Sequence, residues 1–402
     1  MYSIAMSKPR KATHSVRPAA ALLVTQHKGR GAVSQPTGRF ERVQRQPDAD
    51  WRDERNLHDE AEHAPRTQVF ADRSRSILSY NRSPDVPFDR SINPYRGCEH
   101  GCSYCYARPT HAYLGHSPGL DFETQLYVKH DAVQCLRQAL SSPTYQCQPV
   151  NIGSVTDAYQ PIERDHCITR GLLELLAHCQ HPVTIITKSA LIERDIDLLS
   201  ELARKQLVQV FVSITTLDET LGRRWEPRAA APWRRLHSVR KLTEAAIPVG
   251  VGMAPVVPFL NEPEIERVLT AAREAGAVSA FYSVLRLPHE LETVFTDWLH
   301  THYPDRARRV LSHLADMRSK PGEAARLNDP RFGSRMRGQG HWAELIALRF
   351  RMVADRLGYL RQGLNLRTDR FRPPVQSPNS RTDRALAQIA GPEGSQAQGA
   401  LF

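Results

Sequence analysis

The 402-residue sequence predicts an α/β fold, a partial (β/α)6 TIM-like barrel with a disordered N-terminal arm and a helical C-terminal extension. Three observations carry this. Six strand-like apolar runs each lead into a segment with helical apolar spacing; a polar Arg-, Gln- and Pro-rich stretch precedes them; and strong helical periodicity resumes after Pro304.

The arm covers residues 1–75, where stretches such as Ser34-Gln35-Pro36-Thr37-Gly38 have no apolar period to offset the entropy of ordering. Residues 76–303 carry the barrel. Phe88 to Tyr95 is extended, Asp131 to Leu140 helical, and Pro149 to Val155 is a short apolar run before a helix over Ile168 to Cys179. Val183 to Thr187 is β-branched and precedes a helix from Ile192 to Lys205. The runs Val208 to Ile214, Val249 to Val257 and Ala280 to Leu285 each lead into a helical stretch: Trp233 to Ala246, Glu262 to Ala275 and His289 to His300. Right-handed crossovers wind such units into a barrel or an open doubly wound sheet, with the chemistry in either case at the carboxyl ends of the strands, and the partial barrel is the reading taken. Residues 304–374 form the extension, helical to about Leu360, and 375–402 a second disordered tail.

Composition narrows the function classes. A formal net charge of +11 favours polyanionic partners, such as nucleic acid or an acidic electron-transfer protein. Seven cysteines are too few for a disulfide scaffold, and their clustering suits a reducing compartment. No run approaches the ~20 apolar residues that span a bilayer, and Ala19 to Val24 is too short for a secretory segment. The sequence reads as cytoplasmic, with no membrane partner. Phosphate-cradling glycine loops and a Gly-x-Ser-x-Gly elbow are absent, which disfavours kinases, NTPases and hydrolases, and the histidines show no paired metal spacing that would assign a second metal.

Three cysteines stand in one short stretch, Gly97-Cys98-Glu99-His100-Gly101-Cys102-Ser103-Tyr104-Cys105-Tyr106. Soft thiolates suit iron–sulfur clusters and zinc alike. A structural zinc site needs a fourth ligand, and no second Cys-x2-Cys pair appears; His100 is the one nearby candidate. Three thiolates can also cover three corners of an iron–sulfur cube and leave the fourth iron open. A non-enzymatic zinc- or cluster-containing nucleic-acid-binding protein stands as the alternative.

The spacing Cys-x3-Cys-x2-Cys, with an aromatic residue before the last cysteine and directly after the first strand, resembles the radical S-adenosylmethionine superfamily. The flanking Asn93-Pro94-Tyr95-Arg96-Gly97-Cys98 and Cys102-Ser103-Tyr104-Cys105-Tyr106-Ala107 most resemble its branch related to spore photoproduct lyase, often labelled "DNA repair photolyase". The resemblance covers about residues 85 to 300. It implies a [4Fe–4S] cluster on Cys98, Cys102 and Cys105, chelation of S-adenosylmethionine by the open iron, and reductive cleavage to a 5′-deoxyadenosyl radical that takes hydrogen from a substrate. Nucleic acid is the substrate class the branch suggests, and a reduced flavodoxin or ferredoxin the electron donor. A radical methylthiotransferase would carry a second cluster or an RNA-binding domain, and neither is evident.

Roles carry over by position. Tyr104 matches the aromatic position beside the adenine, or packs the loop onto the barrel. Ser154, Thr156 and Asp157 follow the second strand, where the methionine amino group is held; Asp157 could instead cap the next helix. Lys188 and Ser213 end the third and fourth strands and resemble positions that bind the cofactor carboxylate or ribose. Glu226 and Arg228 orient cofactor or substrate, or pair with each other at the rim. The lyase uses a cysteine as hydrogen donor in a Cys-Thr-Ser-Asp run; aligned here, Ser154 takes its place. A hydroxyl O–H bond is too strong to yield its hydrogen readily to a carbon radical, so a different substrate is expected. Cys147 falls before the second strand. The mixed Arg and aromatic segment from Arg367 to Pro374 reads as a nucleic-acid contact or a solvated linker.

Overall fold

The computed structural model describes residues 26–41, 65–319, 324–361 and 363–374. The amino-terminal strands are β1 (Gln68–Ala71), β2 (Leu78–Tyr80), β3 (Arg90–Ile92), β4 (Tyr95–Arg96) and β5 (Gln125–Val128). The barrel continues with β6 (Val150–Ile152), β7 (Val183–Thr187), β8 (Val208–Ser213), β9 (Val249–Val256) and β10 (Ser279–Val284).

These runs form strands because their β-branched residues are buried on both faces, as in β6 and nearly all of β8. They join in the order β10-β9-β8-β7-β6-β3-β2, with only β2 antiparallel. Strands β3 and β6 to β10 are thus six neighbouring parallel strands in chain order, as a (β/α)6 partial barrel requires. The crossover helices α1 (Ala132–Leu140), α2 (Ile168–His178), α3 (Ile196–Arg204), α4 (Pro232–Glu244) and α5 (Ile265–Glu274) each turn an apolar stripe onto the sheet. After β10 come α6 (Leu291–His302), α7 (Pro304–Arg318) and α8 (Gly340–Arg356). Among the described residues no helix is long and apolar enough to cross a membrane.

The structure departs from the sequence reading at both ends. Residues 26–41 and 65–75 were expected in a disordered arm. Instead Ala32 and Val33 are buried in the main core, and β1 pairs with β5 in a small second sheet, β1-β5-β4. The reason is main-chain: these residues satisfy buried polar groups of the barrel rather than supplying a periodic apolar face. The rest of that arm and the tail from 375 lie outside the described residues.

At the other end the extension is helical only to Arg356. Leu360 then donates its N–H to the Val278 carbonyl at 2.9 Å, a strand-like contact beside β10. The segment from Arg367 to Pro374 is neither a free linker nor a contact surface near the strand ends that carry the cysteines. Phe371 packs on Tyr145 and His181, and the Arg372 N–H reaches the Cys179 carbonyl, all at the amino-terminal end of the barrel.

Candidate metal centre

The loop after β3 places Cys98, Cys102 and Cys105 at the carboxyl edge of the parallel sheet. Its turns need glycine: Gly97 and Gly101 have φ of 76° and 66°. Gln160 clamps the loop from below, its Nε2 donating to the Gly97 carbonyl at 3.2 Å while its Oε1 accepts the Glu99 N–H at 2.9 Å. All three thiols are free; Cys98 and Cys102 are buried and Cys105 is half-buried. Burial, with Asp157 adding, pushes the Cys98 thiol up, and burial pushes Cys102 up to about 12 although Lys188 pulls the other way. Such surroundings disfavour free thiolates and suit sulfurs whose charge a metal takes up.

Three free thiols on one loop are donors that an iron–sulfur cube and zinc both accept. Among the described residues no group of three or more His, Cys, Asp and Glu side chains is arranged to hold one metal ion. One zinc needs its ligands to meet at a point, whereas a cube spreads thiolates over separate irons. His100 is buried, with Nδ1 turned to Asp157 Oδ2 at 3.2 Å.

The remaining residues fall into two groups. Lys188 is available. Its Nζ lies 5.8 Å from the centre of the Tyr104 ring and makes no hydrogen bond or ion pair among the described residues. Burial opposes its charge, but Cys102, Glu226 and Asp157 outweigh that and raise its pKa. Ser154 is half-buried, its hydroxyl sharing the Asn93 side chain at 3.3 Å.

Asp157, Thr156 and Tyr104 are engaged by the protein itself, and Ser213 through its main chain. Asp157 was expected to bind an ammonium group, yet its carboxylate accepts from Thr187 Oγ1, the Lys188 N–H and the Tyr159 N–H at 2.7, 2.7 and 2.9 Å, besides facing His100. Burial raises its pKa, but His100 and these donors prevail and hold it well below the ordinary carboxylate range. Four partners fill a carboxylate's acceptor capacity. The Thr156 hydroxyl donates to the Tyr95 carbonyl at 3.1 Å. Tyr104 is buried, its hydroxyl bonded to Glu226 and its ring edge-on to Trp225 at 4.8 Å, so the side chain anchors the loop to the barrel. Ser213 is buried, and its carbonyl accepts from Arg235 at 3.0 Å.

Glu226 and Arg228 do not pair with each other. Glu226 is wholly buried against Arg235, Thr215 and Tyr104, while Arg228 reaches Glu99 at 3.1 Å. Sequence reasoning missed Asn93, whose Oδ1 accepts the Val155 N–H at 2.8 Å and shapes the loop after β6. It sits in the quoted Asn-Pro-Tyr-Arg run, but its partner lies 62 residues away. Cys147 precedes β6 and so lies at the opposite end of the strands from the cysteine loop.

Residues 92–272 match the Radical SAM superfamily. An uncharacterised protein of Mycobacterium tuberculosis is 35% identical over 226 residues, 56% of this chain and 66% of that one. One from Methanocaldococcus jannaschii is 26% identical over 215 residues, 53% of this chain and 76% of that one. The chain spans just under two thirds of the mycobacterial relative. Among solved structures, spore photoproduct lyase complexed with dinucleoside spore photoproduct superposes with a TM-score of 0.51 at 15% identity, over 72% of this chain and 80% of that one. A variant of that lyase with bound AdoMet gives 0.50 at 16% identity over the same shares. These structures share the fold.

Proposed function

We propose, from the premise that this chain carries a radical SAM domain, that it is a radical enzyme whose Cys98, Cys102 and Cys105 hold a [4Fe–4S] cluster. When bound, the cluster and S-adenosylmethionine supply the electron and the 5′-deoxyadenosyl radical on which such chemistry rests. The observation that carries the reading is the pairing of three thiols on one loop with Lys188, whose ammonium group has no hydrogen bond or ion pair among the described residues. A cation there suits the carboxylate of an amino acid chelate. Asp157, Thr156, Asn93 and Tyr104 then serve as positioning residues that hold the loops around the mouth. Ser154, in the loop after β6, offers a hydroxyl hydrogen that a carbon radical does not readily take, which speaks against thymine-dimer reversal by the lyase's cysteine route.

Nucleic acid is the substrate class we favour, supported by the +11 net charge and by the fold shared with a lyase solved with a dinucleoside photoproduct. The same charge suits a small acidic flavodoxin or ferredoxin as electron donor, and the free thiols suit the cytoplasm. Anaerobic incubation with S-adenosylmethionine and dithionite tests the activity. Wild type should release 5′-deoxyadenosine and Cys102→Ala should not; equal release from both would refute the reading.

A further inference from the structure

Residues 30–39 run as a strap beside the cysteine loop, and their contact with it is made of main chain. The Gly31 and Ala32 N–H groups donate to the two carboxylate oxygens of Glu123, at 3.0 and 2.8 Å. A side chain at Gly31 would fall on the Gly101 carbonyl oxygen, so strap and loop meet backbone to backbone. Glu123 is wholly buried and pairs with Arg108, which is wholly buried too.

Arg108 passes the contact on to the loop. Its Nε donates to the Cys102 carbonyl at 2.8 Å and its Nη2 to the Gly101 carbonyl at 3.0 Å, while Nη1 bonds the Pro118 and Gly119 carbonyls at 3.1 and 2.8 Å. Further along, the Arg39 N–H and Nε reach Glu290 Oε1 at 3.0 and 2.8 Å, just before the helix that follows β10. The strap therefore joins the loop of the first barrel strand to the segment after the last one. That is the side on which a six-stranded partial barrel stays open.

We infer that the strap and the Arg108–Glu123 pair form a device that positions and screens the cysteine loop. Arg108 fixes the carbonyls of Gly101 and Cys102 and sets a buried positive charge beside a cluster ligand. Glu123 balances that charge and latches the strap across the open side. A merely mechanical tie would not need charge: burying an ion pair is expensive, and well-packed apolar residues often hold as well. The inference rests on the reading that the three thiols hold a cluster.

The test uses anaerobically reconstituted full-length protein, with the cluster's midpoint potential followed by electron paramagnetic resonance. Removing positive charge disfavours the reduced cluster and removing negative charge favours it. Arg108→Met should therefore lower the potential and Glu123→Gln should raise it. Arg108→Lys, which keeps the charge but loses the forked bonds, should stay close to wild type in potential. Gly31→Val leaves both charges in place while forcing the strap off Gly101. It should bleach several-fold faster in air, and its apoprotein should show several-fold faster amide exchange over residues 99–105. If Arg108→Met does not fold, the rise in Glu123→Gln and the unshifted Arg108→Lys decide the charge effect. Shifts of the same sign in the two charge variants, no shift in Glu123→Gln, or unchanged exchange in Gly31→Val would overturn the inference. Wild type that takes up no iron would instead sink the cluster reading, because the exchange measurement needs no iron.

Discussion

The main-chain N–H of Lys188 donates to Asp157 Oδ2 at 2.7 Å, which ties the loop after β6 to the loop after β7. Through this bond a side chain expected to touch a ligand instead fixes the start of the loop that carries Lys188. The mouth of the barrel is assembled in this way from loops held by buried polar contacts.

Asp157→Asn should expose that dependence. The amide puts an N–H₂ where a carboxylate oxygen accepted, so either the Lys188 N–H on Oδ2 or the Tyr159 N–H on Oδ1 is left buried without a partner. An unsatisfied buried donor costs about 1–3 kcal/mol. Calorimetry of the apoprotein should show Tm lowered by roughly 2–4 °C. An unchanged Tm would contradict the assignment.

Lys188→Met should behave oppositely. The ammonium group makes no hydrogen bond or ion pair among the described residues, so its loss should leave the apoprotein's Tm within about 1 °C of wild type. Equilibrium dialysis on reconstituted protein should show S-adenosylmethionine bound at least roughly tenfold more weakly, the loss of one charge-assisted contact of about 1.5 kcal/mol or more. Retained affinity would remove Lys188 from the site.

Glu226→Gln leaves the Arg235 guanidinium buried without its counter-charge, which should destabilise the apoprotein by about 3–5 kcal/mol in urea unfolding. Adding Arg235→Met should recover part of that loss. Additive losses in the double variant would show that the two side chains are not energetically coupled.

His181 gives a dependence on pH. Burial pushes its pKa down to about 4 from the ordinary 6.5, and its ring sits between the Tyr145 hydroxyl and the Pro182 carbonyl. The unfolded chain binds the proton first, so this contribution is complete above about pH 7. It falls as pH drops from there toward 4, by at most about 3 kcal/mol. Below pH 4 the loss is complete. Urea unfolding of wild type and His181→Gln between pH 7 and 4.5 should show the shallower slope in the variant; parallel curves would contradict the shift.

Much of this architecture was legible in the sequence. The six βα units could be read because β-branched runs such as Val183–Thr187 alternate with amphipathic helices such as Ile196–Arg204, and that alternation is local. The cysteine loop was legible for the same reason. What escaped depends on distant partners. Gly31 and Ala32 are ordered by a carboxylate more than 90 residues away, so no apolar period announces them. Glu226 selects Arg235 over the nearer Arg228 because the α4 helix brings Arg235 beneath it. Phe371 looked like a surface aromatic because Tyr145 and His181, which cover it, are remote in the chain.

The central claim is that three thiols on one loop grip an iron–sulfur cube with a free corner. Counting iron and sulfide per chain after anaerobic reconstitution tests it most directly. The account predicts about four of each in wild type and near-complete loss in the triple variant Cys98→Ala, Cys102→Ala, Cys105→Ala. A single tightly held zinc, or an iron content that ignores the three substitutions, would contradict it.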